Sequence, residues 1–133
     1  MKLIGRAIKE GRAEGEALVS REPLGFFGGV DPETGVVIES GHELEGHCIA
    51  GKILVFPQGK GSTVGSYALY RLHKEGLAPA GIINAQSEAI VAVGAIISDI
   101  PMVDSIETSL IETGDEVTID GDAVRVARPR GRN

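Results

Sequence analysis

A short loop at residues 57–63, PQGKGST, combines the residue types that could hold an anion or move a proton. Gly59 and Gly61 flank Lys60, and glycines let a backbone turn tightly and come close to a ligand. Ser62 and Thr63 then supply two hydroxyl groups. The loop could therefore bind a phosphate or carboxylate, or one of its hydroxyls could take part in a reaction.

The spacing excludes a nucleotide-binding P-loop. That loop requires G-x-x-x-x-G-K-[ST], in which Lys follows the second Gly and directly precedes the hydroxyl residue. Here Lys60 lies between two glycines, and Leu54 occupies the position of the first required Gly. The remaining interpretations are a cap on an ordinary helix and a loop with a chemical role.

The elements around the loop predict how it is positioned. The apolar run 53–56 indicates a buried strand. Apolar residues at helical spacing follow, and Gly76 and Pro79 are typical of the end of a helix. Ser62 or Thr63 would then be the N-cap, where free backbone N–H groups and the helix dipole favour negative charge.

The rest of the chain predicts strands, two helices and strands again, a small mixed α/β domain with its helices against strands. We expect a second helix whose Ile90, Val93, Gly94 and Ile97 share one face. The VTIDGDAVRV segment predicts a hairpin with Asp120-Gly121 as its turn. The other predicted strands are 2–8, 14–20, 36–38 and 80–83. The second helix is predicted to span 87–97, and the long connectors are 21–35 and 40–51.

Composition limits the class of protein. With 133 residues, 42% of them hydrophobic, the chain fits one domain spanning 1–133. Its longest apolar run, 89–97, is too short for a membrane span, and its N-terminus does not resemble a secretion signal. We therefore expect a cytoplasmic protein. The lone Cys48 allows neither an internal disulfide nor a multi-cysteine metal site within the chain.

Charge is distributed unevenly. Nine basic and 19 acidic residues precede Arg125, a net charge of −10, whereas the segment from 125 to 133 adds four arginines. An acidic body argues against nucleic acid as the main partner. We expect the segment 125–133 to be a solvated, mobile tail.

Three stretches together resemble a known family: GFFGGVDPETGVV, HCIAGKILVFPQGKGSTVGSYALYRL and PAGIINAQSEAIVAVGAIISDIPMVD. In this order and spacing they are similar to the small subunit of the aconitase X group, which resembles the mobile swivelling domain of aconitases. The resemblance covers nearly the whole chain and implies a swivelling β/β/α domain. The chain is most similar to the archaeal members that dehydrate (R)-5-phosphomevalonate to trans-anhydromevalonate 5-phosphate for isoprenoid synthesis.

The resemblance also implies how such an enzyme is divided between two chains. By motif position the serine base of the aconitase relatives falls on Ser62, with Lys60, Gly61 and Thr63 as neighbouring substrate contacts. A large partner subunit would hold a 4Fe-4S cluster, no metal would be bound here, and activity would need the heterodimer. Aconitases follow their serine with an arginine that helps bind a tricarboxylate, whereas this loop continues Thr63-Val64-Gly65, which disfavours citrate.

Two alternative hypotheses remain. The chain could be the small subunit of a dehydratase that acts on cis-3-hydroxy-L-proline, or a non-catalytic assembly domain that only covers a partner's active site. Gly28, Gly29 and Asp31 lie in a long loop and are either substrate contacts or a turn before Pro32. The segment GHELEGHC fits no compact zinc pattern, so we expect a structural connector. Finally, we interpret Asn84, Glu88 and Asp99 as capping residues rather than catalytic ones.

Overall fold

The protein is described by a computed structural model covering residues 1–129. Its eight strands form one continuous order, β1-β8-β7-β3-β4-β5-β6-β2, and two helices follow β4 and β5. This is the mixed α/β arrangement that the sequence predicts. The strands are β1 Lys2–Ile4, β2 Arg6–Lys9, β3 Arg12–Val19, β4 Ile53–Phe56, β5 Gly81–Asn84, β6 Met102–Asp104, β7 Glu116–Asp120 and β8 Ala123–Ala127; the helices are α1 Gly65–Lys74 and α2 Ala89–Ile97.

Strand β3 joins the two halves of the sheet. Its first residues alternate between exposed and half-buried and pair antiparallel with β7. Its last three residues are buried and pair parallel with β4, which continues through β5 and β6. Strands β4, β5 and β6 are buried at every residue, as expected for parallel strands covered on both faces.

Two hydrophobic clusters cover the two faces of these parallel strands. One contains Leu54 and Ile82 of the sheet together with Leu69 of α1 and Val91 of α2. The other contains Val55 and Ile83 on the opposite face, packed against residues of β7 and β8. The domain is thus layered as helices, parallel strands and antiparallel strands, with α1 and α2 in contact on the outer side.

Gly5 divides the predicted strand 2–8 into β1 and β2. The two pieces lie at opposite ends of the strand order, β1 beside β8 and β2 beside β6. A Cβ on Gly5 would collide with the carbonyl oxygen of Asp104 in β6. The backbone can therefore pass from one half of the sheet to the other only because this residue has no side chain.

Several predicted boundaries differ from the structure. Residues 36–38 form only isolated bridges, Val30 with Val37 and Val36 with Cys48, rather than a strand. The β7–β8 turn is one residue later than predicted, because Asp120 pairs with Ala123 and leaves Gly121 and Asp122 as the loop. No helix in the part of the chain that the structure describes is long and apolar enough to cross a membrane.

Of the four residues predicted to form one apolar face of α2, only Gly94 is fully buried. The helix buries Val91, Gly94 and Ala95, whereas Val93 and Ile97 are about half exposed. Nearly every residue of AIVAVGAII is apolar, so hydrophobic periodicity cannot identify the buried side. The close approach to α1 decides it, since a Cβ on Gly94 would lie 3.0 Å from Leu69 Cδ2.

The mobile tail predicted from residue 125 is also wrong for its first part. Arg125 lies in β8, which pairs with both β7 and β1. Arg128 donates to the buried carboxylate of Asp115 and forms an ion pair with Glu112. Cross-strand pairing and these contacts hold the segment in place. Arg130 and Arg132 lie outside the described residues.

Candidate functional site

The carboxyl ends of the parallel strands gather polar groups at one edge of the sheet. Phe56, Asn84 and Asp104 end β4, β5 and β6, and the loops after β4 and β5 lead into α1 and α2. In open parallel sheets this edge is where ligands usually bind. The predicted site residues Lys60, Gly61, Ser62 and Thr63 all lie in the loop between β4 and α1.

Ser62 is exposed just before α1. Its Oγ accepts a hydrogen bond from the Val64 N–H at 3.1 Å, and its carbonyl accepts one from Gly65 N–H at 2.9 Å. The helix begins at Gly65, and its cap position is Val64, which provides no side-chain cap. The predicted N-cap at Ser62 or Thr63 is therefore two or one residues early, although Ser62 Oγ still satisfies a backbone N–H near the helix start.

Two glycines shape this loop in different ways. Gly61 has φ +99°, a conformation that side chains other than glycine rarely adopt. Gly59 is buried, and a Cβ there would come within 2.5 Å of Glu88 Oε1 and Val91 Cγ2. The loop after β4 therefore packs directly against the first turn of α2.

Lys60 already has a carboxylate partner. Its Nζ lies 2.7 Å from Oε2 of Glu39, a residue that the sequence does not single out. The Lys60 backbone N–H donates to the Leu24 carbonyl, and a Cβ on Gly25 would lie 2.7 Å from the Lys60 carbonyl oxygen. The loop after β4 is thus held against the segment that carries the other predicted contacts.

The other predicted substrate contacts, Gly28, Gly29 and Asp31, differ in their surroundings. Gly28 is exposed with φ +78°, whereas a Cβ on the buried Gly29 would collide with the Gly25 carbonyl. Asp31 Oδ1 accepts a hydrogen bond from the Glu33 N–H at 2.9 Å. This hydrogen bond stabilises the turn at Pro32, and Gly28 is the residue of the three with open space around it.

A largely apolar cavity of about 250 Å³ lies beside the loop and was missed by sequence reasoning. The exposed rings of Phe27 and Tyr67 border it, 58% and 73% exposed. Arg71 supplies the only full charge among its lining residues. Such a cavity suits apolar groups better than a phosphorylated substrate. The lining is Phe26, Phe27, Gly28, Val30, Pro32, Ile38, Val64, Tyr67, Ala68 and Arg71.

The buried carboxylate of Asp104 is the centre of a polar network that the sequence did not reveal. Its carboxylate accepts from Arg6 Nε at 3.0 Å and Nη2 at 2.8 Å, from the Ser87 N–H at 3.1 Å and from Ser105 Oγ at 3.2 Å. These hydrogen bonds, those of Arg6 above all, lower the pKa of Asp104 to about 2 despite the opposing effect of burial. The network ties β2 and β6 to the loop that precedes α2.

Asn84 is fully buried and bridges the ends of β4 and β5. Its Nδ2 donates to the Phe56 carbonyl at 2.9 Å and to the Ile83 carbonyl at 3.2 Å. Its Oδ1 has no hydrogen-bond partner within residues 1–129. The contact to Phe56 fixes the point at which the loop carrying Ser62 leaves the sheet. The predicted capping role of Asn84 is therefore wrong, because the cap of α2 is Glu88.

The segment GHELEGHC is a connector, as predicted. His42 is buried, with Nε2 bonded to the Pro23 carbonyl and Nδ1 accepting from the Leu44 N–H. This pattern fixes the neutral Nε2–H tautomer. Glu43 and Glu45 accept from the backbone N–H groups of Arg21 and Gly41.

An iron–sulfur cluster does not fit the described part of this chain. Residues 1–129 contain no group of three or more His, Cys, Asp or Glu side chains placed to hold a metal. The single thiol, that of Cys48, is exposed and cannot supply the several thiolates that such a cluster requires.

Comparison with known proteins agrees with this fold. The chain matches the family described as aconitase X swivel domain over residues 2–127. It is 59% identical to the phosphomevalonate dehydratase small subunit of Thermococcus kodakarensis, covering 95% of each chain. It is 54% identical to that of Methanosarcina acetivorans, covering 98% of this chain and 94% of the relative.

A solved structure gives the same result. The crystal structure of Thermococcus kodakaraensis aconitase X in its holo form matches with a TM-score of 0.94 and 55% identity, over 96% of this chain and 99% of that one. The predicted resemblance and the predicted swivelling fold are therefore confirmed. The chain belongs to the aconitase X swivel domain family.

Proposed function

We propose that this chain is the small subunit of a phosphomevalonate dehydratase, a hydro-lyase that acts on (R)-5-phosphomevalonate. Relatives with that name are 54–59% identical over nearly the whole chain. The observation that carries the proposal is the exposed Ser62 hydroxyl at the end of the glycine-containing loop, immediately before α1. We propose Ser62 as the base and Lys60, Gly61, Thr63 and Gly28 as groups around the substrate.

The reaction requires a base for a carbon-bound proton and an electrophile for the departing hydroxide. A serine hydroxyl is a weak base unless its alkoxide is stabilised. The Val64 N–H already donates to Ser62 Oγ, and the dipole of α1 favours negative charge there. Lys60 adds a nearby cation in the same loop. These groups stabilise the alkoxide that Ser62 forms by losing its own proton to solvent, and once water is excluded this alkoxide accepts the carbon-bound proton and returns to the neutral hydroxyl.

A partner subunit must complete this site. Ser62 and Thr63 are exposed, and preorganised charge stabilisation is strong only where water is kept out. The exposed, largely apolar cavity beside Val64 offers a surface that a partner could cover. We propose that a large subunit binds this side of the molecule and that it, rather than this chain, holds the 4Fe-4S cluster.

Co-expression with the large subunit tests the proposal. The purified pair should convert (R)-5-phosphomevalonate to the unsaturated acid, followed by mass spectrometry, and each subunit alone should be inactive. Rates on cis-3-hydroxy-L-proline and citrate should be negligible. A preference for hydroxyproline would replace the proposed substrate, and comparable rates on all three would refute the selectivity.

The cofactor assignment has its own measurement. The isolated chain is expected to be colourless and free of iron, and the assembled pair should show iron–sulfur absorption. An iron–sulfur band from this chain alone would show that the cluster is not confined to the partner.

A further inference from the structure

The contact between Lys60 and Glu39 joins the two loops that carry the proposed site. Lys60 Nζ and Glu39 Oε2 are 2.7 Å apart, and the side chains are 45% and 32% exposed. The second carboxylate oxygen, Oε1, would lie 3.6 Å from a Cβ on Gly29. Glu39 therefore lies between the loop with Gly28 and Gly29 and the loop with Lys60 and Ser62.

Backbone hydrogen bonds hold Glu39 in place. The preceding residue, Ile38, donates its N–H to the Gly29 carbonyl at 2.9 Å, and the Glu39 carbonyl accepts from the His42 N–H at 3.1 Å. Lys60 is fixed similarly by its N–H bond to Leu24. Most surface ion pairs join two freely moving side chains and contribute little to stability. Here both main chains are held, so the pair fixes the position of the ammonium more than it stabilises the fold.

From this geometry we propose that Glu39 is a positioning residue of the site, an inference that rests on the proposed function. Glu39 holds the Lys60 ammonium between the two glycine-containing loops. A lysine side chain loses considerable conformational entropy when it is ordered, and Glu39 imposes that order before substrate arrives. An ammonium has three N–H donors, so the bond to Glu39 is compatible with donation to a substrate anion.

The test uses Glu39→Gln in the assembled two-subunit enzyme, with Glu16→Gln as matched control. Glu16 also forms a Lys–Glu ion pair, with Lys52 at 2.9 Å, but it lies in β3. We expect Glu39→Gln to lower kcat/KM on phosphomevalonate at least about tenfold, because small misplacements of a binding group are costly. Glu16→Gln should leave the kinetics unchanged.

A double mutant shows whether Glu39 acts through Lys60. In a Lys60→Met background, adding Glu39→Gln should change kcat/KM less than about twofold, since residues that act through one contact are not additive. Equal losses in both backgrounds, or wild-type kinetics for Glu39→Gln, would overturn the inference.

A measurement without substrate separates this inference from the proposed function. NMR of the Lys60 side-chain ammonium in the full chain should show greater internal motion in Glu39→Gln and wild-type behaviour in Glu16→Gln. If the wild-type enzyme proves inactive on phosphomevalonate, the proposed function fails while the ammonium signal still reports whether Glu39 holds Lys60. Unchanged ammonium motion in Glu39→Gln contradicts the inference in either case.

Discussion

The loops after β4 and β5 both carry the chain from a buried parallel strand into a helix, but they use their polar groups differently. At the start of α2, Glu88 accepts hydrogen bonds from the Ile90 and Val91 N–H groups at 2.9 and 3.1 Å. At the start of α1, the cap residue Val64 provides no side-chain hydrogen bond. The first loop is longer, contains two glycines and leaves Ser62 exposed.

This difference indicates where an external anion can be accommodated. The N-terminus of α2 already has a carboxylate of the chain itself, which accepts hydrogen bonds from two of its N–H groups and offsets its dipole. The beginning of α1 has only the neutral hydroxyl of Ser62, bonded to one N–H. The same strand–loop–helix topology thus serves stability after β5 and, in our proposal, chemistry after β4.

The largest effect is expected from Ser62→Ala. Proton transfer by a positioned group is commonly worth about 10²–10⁴-fold in rate, so kcat should fall by that amount. The loss of one exposed hydrogen bond to Val64 should lower the free energy of unfolding by no more than about 0.5–2 kcal/mol. Steady-state kinetics of the two-subunit enzyme, together with urea unfolding of the full chain, measure both.

Thr63→Ala is the neighbouring control for this variant. It removes the adjacent exposed hydroxyl and should reduce kcat far less than Ser62→Ala does. If Ser62→Ala kept most of its activity, or lost it only by unfolding or failing to bind the large subunit, Ser62 would be a structural residue.

A smaller effect is expected where the two loops meet. Gly59→Ala places a Cβ within 2.5 Å of Glu88 and Val91 in the first turn of α2. Overpacking of this kind typically costs about 1–3 kcal/mol, which thermal unfolding would measure as a lower Tm. Gly28→Ala is a useful comparison, since Gly28 has open space around it and only its backbone conformation would be strained. A Tm equal to wild type for Gly59→Ala would mean that the loops do not pack as described.

Low pH should weaken the hydrogen-bond network of Asp104, which lies beside the loop after β5. The pKa of Asp104 is lowered from 3.8 to about 2, so its ionised form stabilises the fold above pH 4, and this contribution is lost as the pH falls from about 4 to 2. The shift corresponds to about 2 kcal/mol. Asp104→Asn should therefore lower the unfolding free energy by about that amount at pH 7.

The pH profile distinguishes this effect from simple packing damage. In urea unfolding, the difference between wild type and Asp104→Asn should shrink as the pH approaches 2. Asp122→Asn, at an exposed turn residue, should show no such trend. A constant difference at every pH would show that the charge of Asp104 is not what matters.

The sequence predicts the strands that lead into the two loops better than it predicts contacts between distant segments. The apolar runs that became β4 and β5 were recognisable because parallel strands buried on both faces consist of consecutive hydrophobic residues. The division at Gly5 was not, because it depends on how closely Asp104, 99 residues later in the chain, approaches the backbone. Local pattern predicts elements well, and contacts between distant segments much less well.

The candidate site shows the same limit. Ser62 could be identified from its motif position, but the partner of Lys60 could not, because Glu39 lies 21 residues away in an irregular connector. The roles of Asp31 and Asn84 also depended on which backbone groups the fold brings beside them. Sequence patterns identified the residue proposed for the chemistry, and the structure was needed for the residues that position it.

The smallest effect, and the sharpest check of the comparison, is expected from Glu88→Ala. This change removes the acceptor for the Ile90 and Val91 N–H groups and should cost about 0.5–2 kcal/mol of unfolding free energy, as loss of an N-cap usually does. Glu88→Gln keeps an acceptor oxygen but removes the charge, so its stability should lie between those of Glu88→Ala and wild type. If α2 has only a structural role, kcat and KM of both variants should equal the wild-type values at a temperature well below Tm. A drop in kcat with unchanged stability would instead place Glu88 in the reaction, and the two loops would then share the chemistry that we assign to the one after β4.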